Sequence, residues 1–354
     1  MTKQRTPISR DGTESHSLRD VAKLAGVSVA TASRVMSGST HPVSEQTRQK
    51  VLEAADELSF QPNRLARALV TARSHTIGVI VHDISDPYFG EIVKGLEDGI
   101  HTEDYRLFVA SSERSPDKEL NYVRAFLAHQ VDAMVFAASS LTEPGYSEAL
   151  GNMMERFRAG GGVTVVLSDH VLPGPRVLFD NRRAVGEMVR YLAERGHRRI
   201  GYLTGPADLE VSRVRLGGFT SASEALGLEV GPENVADGHF TTMGGSEAVA
   251  RLLEKLDFTA VLAANDLMAI GAIRRLLDSG WRVPDDISVV GLDDIPIAEY
   301  GPVPLTTMSV PTYQIGLDGA SLLLEALAGN DPDDIHVTGE IIERSSVATL
   351  VGER

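Results

Sequence analysis

Leu18-Arg-Asp-Val-Ala-Lys-Leu-Ala-Gly-Val-Ser-Val-Ala-Thr-Ala-Ser-Arg-Val-Met36 reads as two short helices joined by a tight turn. Ser17 stands where it can cap the first helix, with Asp20 three residues on, as in a capping box. Val21, Leu24 and Ala25 recur at helical spacing and predict one apolar face. Gly26 ends the helix as a left-handed residue after a C-cap would. Val27 is expected as a buried wedge, and Ser28 as the cap of the second helix. Ala32, Val35 and Met36 then face inward, which leaves Val29, Ala30, Ser33 and Arg34 pointing out. A third helix follows Pro42, capped by Ser44, with Val51, Ala55 and Leu58 on its apolar side. Short helices around a glycine-containing turn form a DNA-reading motif; the bland alternative is a generic three-helix bundle. The candidate major-groove set is Ser28, Val29, Ala30, Thr31, Ser33 and Arg34. Arg34 suits a bidentate guanine contact, and Val29 and Ala30 suit thymine methyls.

A net charge of −15 looks wrong for a DNA binder until it is divided along the chain. Residues 1–75 carry eleven Lys/Arg against seven Asp/Glu, and the rest carry twenty-three against forty-two. The basic excess sits where phosphate contact is needed, and the acidic remainder is repelled from the duplex. The excess is modest, so affinity should depend on pairing two headpieces. The 354 residues suit two or three domains, and a hydrophobic share of 42% can fill large cores. With no cysteine, neither a disulfide frame nor a cysteine-ligated metal can form. No apolar run approaches the roughly 18 residues of a membrane span. Residues 1–15 read as a disordered tail whose polar start lacks a signal core, so a cytoplasmic location is expected.

The helix-turn-helix resembles the headpiece of the lactose/galactose repressor (LacI/GalR) family of bacterial transcriptional regulators. The match continues through Val43-Ser-Glu-Gln-Thr-Arg-Gln-Lys-Val51 and Leu58-Ser-Phe-Gln-Pro-Asn-Arg-Leu-Ala-Arg-Ala-Leu69, and covers nearly the whole chain from about Ser17. The set Val29, Ala30 and Arg34 is similar to that of galactose-type members. On this reading residues 16–61 are the headpiece and 62–74 a hinge. In the hinge, Asn63 could cap a short helix striped by Leu65, Ala66 and Leu69. About seven residues are too few to hold a helix alone in water, so it needs its twofold mate or DNA. Composition alone allows an ordinary linker. The resemblance implies paired hinge helices in the minor groove, with Asn63, Arg64, Ala66, Arg67 and Leu69 as contacts and Leu69 as the wedge.

From His75 apolar runs alternate with helical segments: Ile77–Val81, Leu107–Ala110, Ala133–Phe136, Val163–Leu167, Ile200–Leu203, Ala260–Ala263 and Ile287–Val290. Such runs predict parallel strands covered on both faces, and seven of them imply two doubly wound lobes. The expected fold is α/β: an all-α headpiece plus a two-lobed, periplasmic-binding-protein-like body spanning residues 75–354. Lobe 1 covers about 75–179 and 311–338, and lobe 2 about 180–306 and 339–354. Ligands in open α/β sheets bind at strand C-terminal ends, where Asp86-Pro-Tyr-Phe89, Asp169, Arg215, Phe240, Asn265-Asp266 and Asp293-Asp294 fall. Arginine and carboxylate span adjacent hydroxyls, and rings stack on the apolar face of a sugar. The resemblance implies effector contacts at Arg215, Asn265 and Asp293, stacking at Phe240 and a first-lobe wall at Tyr88 or Phe89; Asp169 joins them as a candidate. Asp266, Asp294, Asp180 and Asn181 have plainer readings as caps or helix starts, and His197 as a helix-end residue.

No phosphate loop, GxGxxG after a strand, GxSxG elbow or HExxH appears, so an enzyme is a poor reading, and no cofactor or metal is expected. The expected function is a regulator, foremost a repressor. It would bind palindromic double-stranded operator DNA as a homodimer under control of a small-molecule effector, a sugar or sugar derivative. The chain stops at Arg354 without a leucine-heptad tail, which favours a dimer over a tetramer. The alternatives are a periplasmic-type sugar-binding protein and an effector-independent architectural DNA-binding protein.

Overall fold

The structure is a computed structural model that describes residues 16–36, 41–60, 73–255 and 257–350. The expected tail and the hinge positions Asn63, Arg64, Ala66, Arg67 and Leu69 lie outside the described residues. Contacts divide the chain into two compact units, Met1–Ser74 and His75–Arg354.

The first unit packs three helices, α1 (Leu18–Leu24), α2 (Val29–Met36) and α3 (Glu45–Glu57). Each start is fastened by a short side chain. The backbone N–H and the hydroxyl of Ser17 both donate to the Asp20 carboxylate, at 2.8 and 2.7 Å. Ser28 Oγ accepts from the Thr31 N–H at 3.0 Å, and Ser44 Oγ from the Thr47 N–H at 3.3 Å. These bonds satisfy donors that a helix end leaves open. Gly26 takes φ 67°, which allows the tight turn between α1 and α2. Val21, Ala22, Ala32, Val35, Val51, Ala54 and Ala55 make the core. One expectation fails: Leu24 is 47% exposed. The buried stripe of α1 runs through Val21 and Ala22, flanked by half-buried Leu18 and Ala25, and Leu24 falls beside it.

The second unit begins with β1 (Thr76–Val81), α4 (Pro87–Ile100), β2 (Arg106–Ser111), α5 (Pro116–Ala128), β3 (Ala133–Phe136), α6 (Tyr146–Ala159) and β4 (Val163–Val166). Its first sheet is parallel, in the order β2-β1-β3-β4. The chain passes through β5 (Val177–Phe179), beside the end of β4 in the first lobe, and enters a second lobe with α7 (Asn181–Glu194), β6 (Ile200–Thr204), α8 (Glu210–Ala225), β7 (Val235–Asp237) and α9 (Thr242–Leu253). It continues with β8 (Ala260–Ala263), α10 (Asp266–Asp278), β9 (Ser288–Asp293), α11 (Ile297–Tyr300) and β10 (Thr306–Ser309). The described chain closes with α12 (Thr312–Leu327), β11 (Ile335–Val337) and β12 (Ile341–Ile342). The second sheet runs β12-β10-β9-β8-β6-β7, parallel except for the antiparallel pair β10 and β12.

Two features depart from the expected pattern of fully covered parallel strands. The strand β2 lies at a sheet edge and leaves Phe108 and Val109 46% and 40% exposed. The short strands β5, β7, β11 and β12 carry no long apolar run, and β11 pairs with β5 outside both main sheets. Helix α12 packs on α4, more than two hundred residues earlier, through glycine. A Cβ on Gly95 would come within 2.1 Å of the Tyr313 carbonyl oxygen, and one on Gly316 within 2.2 Å of the Ile92 carbonyl oxygen. Only a residue without a side chain lets the two backbones meet so closely.

Candidate functional site

The outer side of α2 exposes Val29, Ala30, Ser33 and Arg34, while Ala32 and Val35 are buried beneath. Thr31 is half-buried, and its hydroxyl lies 2.8 Å from that of Ser28. The helix therefore presents a low, small-residue surface with one arginine, a shape that can lie in a major groove.

In the second unit, Tyr88, Phe89, Asp169, Arg215, Phe240, Asn265 and Asp293 line one cleft of about 690 Å³, open solvent at its mouth included. They come from the first turn of α4, from α8 and from segments at or just past the C-terminal ends of strands in both sheets. Arg215 is the centre. Its Nε donates to Asn181 Oδ1 at 2.7 Å, one terminal nitrogen donates to the Ala264 carbonyl, and the other lies 3.5 Å from Asp293 Oδ1. Asn181 Nδ2 donates to Asp169 Oδ2 at 2.7 Å. Asp169, Asn181, Arg215 and Asp293 thus form one connected chain. Asn265 caps α10 by accepting from the Met268 N–H at 3.0 Å, and its amide donates to the Phe240 carbonyl at 3.4 Å.

Burial raises the carboxyl groups here. Asp293 is held well above the usual range by loss of solvent, against the pull of Arg215, with Asp266 and Asp86 adding repulsion. Asp169 and Asp86 are also pushed up, in both cases by burial first. Tyr88 and Phe89 meet edge to face at 5.1 Å, and a Cβ on Gly205 would fall 2.0 Å from the Phe240 ring. Three pairs of consecutive non-glycine residues around the cleft are left-handed: Glu113 and Arg114, His239 and Phe240, Asp293 and Asp294. Such backbone costs free energy and persists where the surroundings hold it, commonly at ligand sites.

Sequence reasoning missed His82, Arg114, Ser139 and Asn181, all of which line the cleft. His82 and Arg114 were legible only as polar residues just past β1 and β2, the position that drew attention to Asp169. Asn181 had been read as a helix start. It is one, since Asp180 caps α7 by accepting from the Arg183 N–H at 2.9 Å, but its side chain turns into the cleft. Two plainer readings are corrected. Asp266 is not the cap of α10, because Asn265 fills that position. It is fully buried, takes the Ile295 N–H at 2.9 Å and the Thr307 hydroxyl at 2.6 Å, and is pushed up to about 7, chiefly by burial. Asp294 forms an ion pair with Arg344 at 2.8 Å. His197 is buried past the end of α7, its ring between the Thr259 hydroxyl and the Ala348 carbonyl. No group of three or more metal-ligating side chains occurs among the described residues.

Residues 17–63 match the model of bacterial regulatory proteins of the lacI family, and residues 189–347 match that of the periplasmic binding protein-like domain. The chain is 33% identical over 338 residues to the HTH-type transcriptional repressor PurR of Aliivibrio fischeri (strain MJ11), covering 93% of this chain and 98% of that one. Among solved structures, the lac repressor dimer bound to operator and the anti-inducer ONPF superposes with a TM-score of 0.82 at 28% identity, covering 95% of this chain and all of the other. A complex of the transcriptional regulator CelR with cellobiose gives a TM-score of 0.67 at 30% identity, covering 94% of this chain and 99% of the other. On the strength of these full-length likenesses, the chain belongs to the lacI family of bacterial regulatory proteins.

Proposed function

We propose that the chain is a DNA-binding transcriptional repressor that works as a homodimer and is controlled by a sugar or sugar derivative held in the cleft of its second unit. The observation that carries the effector reading is the hydrogen-bonded chain Asp169–Asn181–Arg215, extended by an ion pair to Asp293 and set among the rings of Tyr88, Phe89 and Phe240. Planar donors and acceptors fixed at both sides of a ring-lined cleft suit a polyhydroxylated molecule. The relatives support it: one is a transcriptional repressor, one was solved on operator DNA with an anti-inducer, and one holds cellobiose. Two copies related by a twofold axis place one α2 in each half of a palindrome. The effector regulates by binding the DNA-competent and DNA-incompetent forms unequally. Such a regulator acts on chromosomal DNA in the cytoplasm, and no described helix is long and apolar enough to cross a membrane.

The test has two arms on the full-length protein. A thermal-shift screen of sugars and purines should find a ligand, which should then alter retention of a palindromic operator in a mobility-shift titration at fixed salt. Arg34→Ala should weaken that operator by about 1–3 kcal/mol per half-site and leave non-specific binding nearly intact. A screen without a hit, together with a footprint insensitive to every compound, favours the architectural DNA-binding alternative.

A further inference from the structure

The cleft holds two arginines in opposite circumstances. Arg215 is fully engaged, with Asn181, the Ala264 carbonyl and Asp293 around its guanidinium. Arg114 is not. Its Nε is buried without a hydrogen-bond partner. Among the described residues its guanidinium makes neither an ion pair nor a hydrogen bond, and lies over the ring of Phe240 at 5.7 Å. Burial is the main force pushing its pKa down, with Asp86 and Asp83 acting weakly against it. Those two carboxylates are occupied locally. Asp83 accepts the N–H and hydroxyl of Ser85 at 2.9 and 2.7 Å, and Asp86 accepts the Tyr88 N–H at 3.0 Å. A partly desolvated cation with unused donors is costly to keep unless something fills them. The backbone adds to the cost, since Glu113 and Arg114 take φ 50° and 58°. Strain and an unfilled cation at one turn, facing one cleft, are best accounted for by a group that arrives from outside.

The surroundings define that group. His82 is buried at the same end of the cleft and held neutral, its pKa lowered to about 3 first by burial and then by the charge of Arg114. Arg114 also lies one residue before Ser115, which caps α5, so the positive end of that helix is adjacent. The buried cation and the helix end therefore favour negative charge at this end of the cleft, where the Asp86 carboxyl is turned to the Tyr88 N–H. The Arg215 end offers an acid-rich network already paired within itself, which suits hydroxyl groups.

We propose that Arg114 forms a second subsite of the cleft, taking an oxyanion, phosphate or carboxylate, carried by the effector. The inference rests on the cleft being the effector site. A guanidinium fork seats two oxygens of such a group at once, and the Phe240 ring behind it leaves its N–H edges free to do so. The preferred effector is then an acidic sugar derivative, with its hydroxyls toward Arg215 and its anion toward Arg114.

Full-length protein, Arg114→Met and Arg114→Lys are compared by thermal melting and calorimetric titration. The probes are inorganic phosphate against chloride at equal ionic strength, then D-glucose, D-glucose 6-phosphate and D-glucuronate. Phosphate should raise the wild-type melting temperature saturably, Arg114→Met should abolish that response, and Arg114→Lys should keep part of it as a point charge. The anionic sugar of the right class should bind about ten-fold or more tightly than D-glucose, and Arg114→Met should close that gap. Preference for the 6-phosphate or for the uronate tells the two oxyanion sources apart. The subsite is overturned if phosphate has no saturable effect on the wild type, or if Arg114→Met responds as the wild type does. A D-glucose response without a phosphate response keeps the effector cleft and removes the subsite. A phosphate response lost in Arg114→Met, without any sugar response, keeps the subsite and removes the sugar reading.

Discussion

Asn181→Ala should disable the cleft from its middle. The side chain joins Asp169 on one side to Arg215 on the other, with both contacts at 2.7 Å. Each is a hydrogen bond to a charged partner, and such bonds contribute about 1.5–3 kcal/mol. Truncation takes the Asn181 partner from the Asp169 carboxylate and from Arg215 Nε, although the cleft admits water that can re-pair part of what is lost. A net loss of about 2 kcal/mol is therefore expected. At roughly 2–4 °C per kcal/mol for a unit of this size, the melting temperature should fall by about 4–8 °C. The same side chain aims Arg215 and Asp169, so the ligand concentration giving half-maximal operator response should rise about thirty-fold. Scanning calorimetry of the full-length variant gives the first number, and an operator titration with the ligand from the screen gives the second. A melting temperature within about a degree of wild type, with an unchanged half-maximal concentration, would refute the view that these residues act as one network.

The remaining predictions concern single groups. His82 is buried and neutral, with a folded pKa of about 3 against an ordinary 6.5. Stability should therefore fall by up to about 1.4 kcal/mol per pH unit as pH drops from 6.5 toward 3, because only the unfolded ring takes the proton. His82→Gln should flatten that limb of the denaturation curve, and parallel curves for variant and wild type would count against it. Gly205→Ala sets a methyl 2.0 Å from the Phe240 ring, which must swing away. The expected cost is about 1–3 kcal/mol in melting, with weaker ligand binding, and a variant with both properties intact would show that the ring does not depend on this close approach.

What could be read from the sequence follows the range of the forces involved. The caps at Ser17, Ser28 and Ser44 and the left-handed Gly26 are local, so they were visible in the residues themselves. The long apolar strands were visible because burial on both faces forces a continuous run. The strands β5, β7, β11 and β12 were not, since two or three residues carry no period. Leu24 was misplaced because a seven-residue helix has two apolar stripes to choose between, and only packing decides. At the cleft, the expected residues do gather around one cavity, but their partners were hidden. The bond from Arg215 to Asn181 spans 34 positions and the one from Thr307 to Asp266 spans 41. Nothing in the neighbourhood of Asn265-Asp266 tells which of the two caps the helix and which is buried behind it.

The glycine contact between α4 and α12 also bears on how the protein is made. Strand β10 lies in the second sheet, α12 returns to pack on α4, and β12 goes back to the second sheet. During synthesis the first lobe therefore waits, with one side of α4 uncovered, until residues 312–327 leave the ribosome. By then most of the second lobe has been made. Neither lobe can be finished as an early, self-contained product, and both are completed by the same last stretch of chain. Premature termination near residue 310 should thus spoil the lobe that was translated first as well as the one being translated.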